Sequence, residues 1–288
     1  MSDMSMLING LKVTAEKGAT FERRNPLDGS VATRAPAASP ADAVMAVEAA
    51  AEAFKTWSET GPSERRALLL KAADALEAKT PAFIEAVSAE TGATGMWGGF
   101  NVMLAAGMIR EAASLTTQVA GEVIPSDVPG SLAMGVRQPA GVVLGIAPWN
   151  APIILGVRAI CVPLACGNTV ILKGSENCPR THQLIIDAFQ DAGFPPGVVN
   201  YITNAPADAG AVVEAMVAHP AVRRVNFTGS TKIGKIIAMT CAKYLKPVVL
   251  ELGGKAPLVV LDDANIEDAV NGAAFGAFAN SGQICMST

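Results

Sequence analysis

The second half of this sequence consists largely of short apolar runs that alternate with segments of helical spacing. The apolar runs lie at residues 141–147, 169–173, 198–202, 223–227, 247–252 and 257–262. Continuous apolar strands that are separated by helices are typical of a parallel sheet covered on both faces. The sequence therefore predicts a doubly wound α/β fold, in which ligands bind at the carboxyl ends of the strands.

The first third of the chain is rich in alanine and predicts helices. Ser39-Pro40 and Thr80-Pro81 each place a hydroxyl before a proline, which is typical of a helix start, and the second helix is expected to end near Gly92. Between them, residues 63–79 repeat apolar side chains at helical spacing. These segments hold no cluster of catalytic residue types, so we expect residues 1–120 to form a helical cover.

Charge and cysteine content limit the partners of the protein. The chain carries 22 basic and 26 acidic residues, for a net charge of −4, with no basic run. This balance argues against binding to nucleic acid or to an anionic membrane. The five cysteines form no CxxC pair, which argues against a disulfide framework and against a structural zinc site. We therefore expect a small-molecule partner and no metal.

Two further segments bear on location. The chain starts without a basic region followed by an apolar one, so no signal peptide is indicated. Residues 138–172 contain a single charge, but their four prolines divide them into pieces too short to cross a bilayer as a helix. We expect a cytoplasmic protein whose thiols stay reduced.

Residues 226–235 combine a strand end, a glycine turn and a helix start. Free backbone amides at such a turn bind anions, so phosphate binding is one expectation, and a purely structural turn is the other. Gly229–Lys235 also fits the first seven positions of the phosphate loop of nucleotide triphosphatases, and residues 258–263 imitate its acidic strand. The eighth position is Ile236, which has no hydroxyl for Mg²⁺. The dinucleotide fingerprint G-x-G-x-x-G is absent as well.

Three residues of catalytic type are candidates for the chemistry. Glu251 ends an apolar strand, where burial would suit a general base, and the alternative is a solvated loop charge. Asn150 follows another strand, where its amide could donate to an oxyanion or cap the next helix. Cys285 lies among small residues, a setting in which a cysteine is commonly inert. Because His182 and His219 lie outside the strand-end loops, a hydrolase with a histidine base is poorly supported.

Five motifs occur in the order and approximate spacing of the NAD(P)-dependent aldehyde dehydrogenase superfamily, which the chain resembles over essentially its whole length. The motifs are Pro148-Trp149-Asn150, Lys173-Gly174-Ser175-Glu176, Phe227-Thr228-Gly229-Ser230-Thr231, Glu251-Leu252-Gly253-Gly254-Lys255 and Gly282-Gln283-Ile284-Cys285. Within the family, residues 56–62, 99–102 and 285–288 most resemble the aromatic-aldehyde branch. The resemblance implies a Rossmann-type cofactor domain and an oxidoreductase of aromatic compound catabolism, which oxidises a salicylaldehyde-like aldehyde to the acid with NAD.

The resemblance also implies roles for individual residues. Cys285 would attack the aldehyde carbon, the Asn150 amide and the Cys285 backbone N–H would stabilise the oxyanion, and Glu251 would activate the hydrolytic water. Glu176 would bind the adenosine ribose with Lys173 and repel the 2′-phosphate of NADP, so NAD is the predicted cofactor. The implied cofactor-binding residues are Ile146, Pro148, Trp149, Lys173, Ser175, Glu176, Gly210, Phe227, Thr228, Gly229, Ser230, Gly234, Leu252 and Gly253.

A substrate contact is predicted on the helix that follows Asn150. Asn150, Ile154 and Arg158 are spaced at i, i+4 and i+8, which places them on one face of a helix. We hypothesise that Arg158 meets the phenolic oxygen of the substrate, with Ile154 beside it. A structural salt bridge of Arg158 is the alternative.

The family pattern also divides the chain. It implies an NAD-binding domain at residues 1–251, with a cover at 1–120, an oligomerisation hairpin at about 121–139 and a sheet core at 140–251. Residues 252–288 would begin a catalytic domain, and because the family is substantially longer, we expect the remainder of that domain to be absent. A dimer or tetramer is expected. A catalytically impaired NAD-binding fragment is the alternative to an active enzyme, and a phosphate-loop nucleotide binder is a third possibility.

Overall fold

The computed structural model describes residues 2–287 of the chain. Its strands are β1 Ser2–Asp3, β2 Met6–Ile8, β3 Leu11–Val13, β4 Thr20–Arg24, β5 Val31–Pro36, β6 Glu122–Ile124, β7 Ala133–Gly135, β8 Val142–Ile146, β9 Thr169–Lys173, β10 Val199–Ile202, β11 Val222–Gly229 and β12 Val248–Leu252. Its α-helices are α1 Pro40–Trp57, α2 Pro62–Ala78, α3 Thr80–Thr91, α4 Gly95–Leu115, α5 Pro152–Ala165, α6 Pro179–Asp191, α7 Ala209–Ala218, α8 Thr231–Lys243 and α9 Ile266–Phe278.

A seven-stranded sheet with the order β12-β11-β8-β9-β10-β2-β3 forms the centre of the fold. Strands β8 to β12 are parallel to their neighbours, and β2 and β3 add an antiparallel edge. Helices α5 and α6 cover one face, while α1 and α7 cover the other. The predicted doubly wound α/β fold is therefore confirmed. The chain order reverses between β8 and β11, and such a switch point opens a crevice at the carboxyl ends of the strands.

Both helices begin within one residue of the predicted start, but the predicted N-cap of the second helix is wrong. The Ser39 side chain accepts from the Asp42 N–H, and Asp42 returns a bond to the Ser39 N–H, so α1 begins with a capping box. Thr80 lies inside α3, whose N-cap is Lys79, and the Thr80 hydroxyl does not cap the helix but donates to the Glu77 carbonyl at 2.6 Å. Helix α3 ends as predicted, since Gly92 adopts a left-handed backbone with φ +73°.

The predicted helical cover also contains strands. Strands β1, β4 and β5 form a separate sheet, and β2 pairs with β10 on the side away from β9. These strands are two to six residues long, so their periodicity is too short to recognise in the sequence. The open edge of β10 determines where β2 pairs.

The predicted strand at residues 257–262 is wrong. This segment forms no strand, and no strand of residues 2–287 pairs with it. Leu258, Val259, Val260 and Leu261 are exposed. A β-strand requires a neighbour for its backbone N–H and C=O groups, so an apolar run alone does not form one.

The segment at residues 121–139 is separate from the central sheet, whereas residues 138–172 contribute to it. Strands β6 and β7 pair as an antiparallel hairpin of their own within residues 121–139. The apolar segment 138–172 divides into β8, α5 and β9, most of which are buried. Across residues 2–287, no helix has both the length and the apolar character needed to cross a membrane.

Candidate active site

A cavity of about 360 Å³ lies at the switch point between β8 and β11. Its lining residues are Pro148, Trp149, Asn150, Leu155, Thr228, Gly229, Ser230, Glu251, Leu252, Gly253, Gly254, Gln283, Ile284 and Cys285. The three predicted catalytic residues thus share one cavity with seven of the predicted cofactor residues. A second cavity, at the amino ends of β8, β11 and β12, holds none of these candidates.

Asn150 is held in the loop between β8 and α5 by bonds to distant segments. Its Nδ2 donates to the Gln283 carbonyl at 2.9 Å, and its own carbonyl accepts from Trp97 Nε1 at 2.9 Å and Asn280 Nδ2 at 3.0 Å. The N-cap of α5 is Ala151, so Asn150 does not cap that helix. Because Asn150 precedes the helix, the predicted shared face with Ile154 and Arg158 is wrong for Asn150.

The supports of Asn150 were missed by sequence reasoning. Trp97 lies on the cover helix α4, about fifty positions before Asn150, and no local pattern marks it. Asn280 and Ser281 have left-handed φ values of 47° and 57°, which are uncommon for residues other than glycine. This unusual turn, at the end of α9, leads the chain to Gln283 and the exposed Cys285.

Glu251 and Arg158 lie close together beside the cavity. Arg158 Nη2 is 3.9 Å from Glu251 Oε2, and it donates to Thr228 Oγ1 at 3.2 Å. The burial expected of Glu251 is wrong, since 56% of its side chain is exposed. Strand β12 is the edge strand of the sheet, which explains this exposure. Ile154 does not line the cavity, because it is buried with Leu155 near Trp97.

A second polar cluster lies at the carboxyl ends of β9 and β10. Lys173, which is 5% exposed, forms an ion pair with Glu176 Oε1, and Asn204 Nδ2 donates to the same oxygen at 3.0 Å. Burial raises the pKa of Glu176, but Lys173 and the donated hydrogen bonds outweigh burial and hold that pKa below its usual value. The cluster therefore presents an ionised carboxylate, and Asn204 was missed although it follows a predicted strand.

His182 connects this cluster to the first residue of α5, two positions after Asn150. Its Nδ1 accepts from the Ser175 N–H at 3.0 Å, and its Nε2 lies 3.1 Å from the Pro152 carbonyl oxygen. An acceptor on one side and a donor on the other require the neutral Nε2–H tautomer. Burial lowers the pKa of His182 to about 4, so the ring is neutral at pH 7.

The glycine turn leads directly into helix α8. Ser230 is the N-cap of α8, and its hydroxyl oxygen accepts from the Ile233 N–H at 3.4 Å. The first turn of α8 contains no acidic residue, and its first N–H groups have no acceptor within the helix. Gly234 lies one turn inside the helix, where a Cβ would come within 2.5 Å of Leu252 Cδ2. The start of α8 thus suits an anion.

The same geometry argues against the phosphate-loop alternative. That loop wraps around its phosphates before the helix begins, whereas residues 231–234 are already helical. Ile236 occupies the place of the required hydroxyl, and the imitated acidic strand at 258–263 is not formed. The predicted Mg²⁺-nucleotide site therefore has neither its loop nor its ligands here.

The remaining predicted cofactor residues lie outside the cavity. Ile146 and Phe227 are paired across β8 and β11, and both are buried. Ser175 is buried in the loop after β9, and its Oγ accepts from the Asn177 N–H at 3.2 Å. Gly210 is exposed at the start of α7 and does not line the cavity.

Comparison with known proteins places the chain in a family. The family model described as "Aldehyde dehydrogenase family" matches residues 13–288. This chain belongs to the aldehyde dehydrogenase family. The predicted resemblance is therefore confirmed, and the family is one of enzymes.

The relatives of this aldehyde dehydrogenase chain include enzymes named for aromatic aldehydes. It is 62% identical to a vanillin dehydrogenase of Pseudomonas fluorescens, over 100% of this chain and 60% of that protein. The structure of a salicylaldehyde dehydrogenase from Pseudomonas putida G7, complexed with salicylaldehyde, matches with a TM-score of 0.98 and 50% identity, over 100% of this chain and 60% of that one. PnpE in complex with nicotinamide adenine dinucleotide matches with a TM-score of 0.94 and 39% identity, over 99% and 58%. The chain spans about 60% of the length of these relatives.

Proposed function

We propose that this chain carries the NAD site and the reacting residues of an aromatic aldehyde dehydrogenase for hydroxylated benzaldehydes such as vanillin or salicylaldehyde. The observation that carries the proposal is the meeting of Cys285, Glu251 and Asn150 at one cavity in the switch-point crevice. A nucleophile, a base and an amide donor at one place suit covalent oxidation of a carbonyl group. The names of the relatives support the aromatic substrate class.

In the proposed reaction, the Cys285 thiolate forms a C–S bond to the aldehyde carbon, and the carbonyl electron pair moves to oxygen. One Asn150 Nδ2 hydrogen is bound to the Gln283 carbonyl and the other has no acceptor among residues 2–287, so it could bind this oxyanion together with the Cys285 backbone N–H. NAD, when bound, would supply the hydride acceptor that this adduct needs to become a thioester. Glu251 takes a proton from water as the water attacks the thioester, which releases the acid and the thiolate.

The proposed cofactor site follows the two polar regions of the crevice. Glu176, paired with Lys173, suits the hydroxyls of the adenosine ribose, and the start of α8 with Gly229 and Ser230 suits the diphosphate. Pro148, Trp149, Thr228, Leu252 and Gly253 line the cavity beside them. An ionised carboxylate repels a 2′-phosphate, so NAD is preferred over NADP. Glu176→Gln should therefore narrow the ratio of NAD to NADP affinity, and an unchanged ratio would contradict this role.

Arg158 is proposed to recognise a phenolic oxygen on the substrate, with its pairing to Glu251 as the competing structural role. Its place beside Thr228 and Glu251, both of which line the cavity, supports a position within reach of a ligand. Arg158→Met should reduce the preference for salicylaldehyde over benzaldehyde. If that preference is intact while the activity on both falls, Arg158 serves Glu251 instead.

We also propose a domain organisation and a mode of assembly. Residues 1–251 would form an NAD-binding domain, and residues 252–288 would begin a catalytic domain. The β6–β7 hairpin pairs with no other sheet within residues 2–287 and exposes Val123 and Met134. This exposure supports its use as a contact between subunits of a dimer or tetramer.

The decisive experiment measures NADH formation from vanillin or salicylaldehyde with NAD, on protein of known intact mass. Cys285→Ala should abolish turnover, and Cys166→Ala, a cysteine outside the cavity, is the matched control. Turnover that survives Cys285→Ala would overturn the covalent mechanism. NAD binding without turnover would favour the second candidate, an impaired NAD-binding fragment, which the exposure of Cys285 supports.

A further inference from the structure

The carboxylate of Glu176 is held from two sides at a single oxygen. Lys173 Nζ and Asn204 Nδ2 both donate to Oε1, and neither uses Oε2. The pairing of β9 with β10 sets this arrangement, because Ile202 lies opposite Lys173 and Asn204 follows two residues later. Oε2 is therefore left without a side-chain partner among residues 2–287.

Asn204 is an unusual residue to find in this place. It is fully buried, and its Oδ1 has no hydrogen-bond partner among the described residues. Its Nδ2 donates to the Ala205 carbonyl at 2.8 Å as well as to Glu176. A buried carbonyl without a hydrogen-bond partner typically destabilises a fold, so a contribution to stability does not explain why Asn204 lies here. The donation to Glu176 supplies one.

We propose that Asn204 is a positioning residue that sets the selectivity of this site for NAD over NADP, a role that rests on the function proposed above. With Lys173 it fixes the Glu176 carboxylate in one orientation, with Oε2 free to accept from the ribose hydroxyls. A ribose hydroxyl then meets a fixed, charged acceptor. A 2′-phosphate meets a fixed negative charge that cannot rotate away.

Loss of the Asn204 donor should act on the two cofactors in opposite directions. Held by Lys173 alone, the Glu176 side chain can rotate about its own bonds, so NAD loses a preorganised acceptor. The same rotation lets the carboxylate move away from a 2′-phosphate, so NADP is excluded less strongly. A purely structural role of Asn204 would weaken the binding of both cofactors together.

The test is titration calorimetry of NAD and NADP on the full chain and on Asn204→Leu. A hydrogen bond to a charged group typically changes binding by about tenfold or more, so we expect NAD to bind about tenfold more weakly. NADP should bind to the variant as well as to the wild type or better. The ratio of NAD affinity to NADP affinity should therefore fall by at least about tenfold. Asn101→Leu is the matched control, because Asn101 is also fully buried with an unpartnered Oδ1 but lies on α4, away from Glu176.

A second variant covers the case in which Asn204→Leu does not fold. Asn204→Asp keeps the shape of the side chain and places a second carboxylate against Glu176, so the NAD affinity should fall further than tenfold while that of Asn101→Leu is unchanged. A folded Asn204 variant whose ratio of NAD affinity to NADP affinity equals that of the wild type would overturn the role of Asn204 and leave the proposed function standing. If the wild-type chain binds neither cofactor, the proposed function fails and the role of Asn204 fails with it.

Discussion

His182 should make the stability of this chain sensitive to mild acid. The ring is fully buried, accepts from the Ser175 N–H and faces the Pro152 carbonyl. Its nearest titratable neighbours are Cys178, whose Sγ lies 3.8 Å from Nδ1, and the Lys173–Glu176 pair. Protonation at Nδ1 would place two donors face to face and a charge in the core. The predicted perturbation is therefore a change of pH.

The magnitude follows from the pKa of His182. Burial lowers it from an ordinary 6.5 to about 4, so the folded state favours the neutral ring. A depressed pKa of this kind stabilises the fold above pH 6.5, and the stabilisation is lost as the pH falls towards 4. The difference between the two pKa values corresponds to about 3 kcal/mol, of which about 2.5 kcal/mol is lost by pH 4.5.

The assay is urea unfolding, followed by tryptophan fluorescence, at pH 7 and pH 4.5. Carboxylates titrate over the same range, so the measured quantity is the difference in unfolding free energy between wild type and His182→Asn. Because the variant retains an acceptor for Ser175 but loses the donor to Pro152, we expect it to be less stable at pH 7 by about 1–3 kcal/mol. That gap should shrink by about 2.5 kcal/mol at pH 4.5. An equal gap at both pH values would refute the buried neutral histidine.

Three further changes test the fold and the crevice. Ser39→Ala removes the capping box of α1 and should lower the unfolding free energy by about 1 kcal/mol in urea, whereas no change would mean that the helix end is already frayed. Asn168→Ala removes hydrogen bonds to the Ala140 and Gly141 N–H groups and to the Pro163 carbonyl. We expect the free energy of unfolding to fall by about 2–4 kcal/mol in thermal or urea unfolding, and a fall below about 1 kcal/mol would contradict these bonds. Gly234→Ala should displace Leu252 and weaken NAD binding by several-fold in calorimetry, with little change in unfolding; unchanged NAD affinity would show that the crevice tolerates the shift.

The buried strands could be predicted because both of their faces are covered. Strands β8, β9 and β10 are apolar at nearly every position, and the predicted bounds agree within one residue. The run at 257–262 has the same composition and forms no strand. Composition expresses a preference for burial, whereas a strand also needs a paired neighbour, which one segment of sequence does not contain.

The site could be predicted where its residues follow predicted strands. Asn150 and Glu251 were found in this way, and Asn204 could have been, because it follows β10. Trp97 and Gln283 could not, since their bonds to Asn150 join segments that are far apart in the chain. The orientation of an amide depends on such distant partners.

The sequence by itself determined the layered α/β fold, the family and the candidate reacting groups, because local apolar patterns and strand-end motifs consist of consecutive residues. Only the tertiary structure decided that Glu251 is exposed beside Arg158, that His182 joins the loop after β9 to the start of α5 and that Asn204 and Lys173 share one oxygen of Glu176. The physical reason is that burial, ion pairing and hydrogen-bond direction are properties of neighbours in space. Strand pairing brings those neighbours together only in the folded chain.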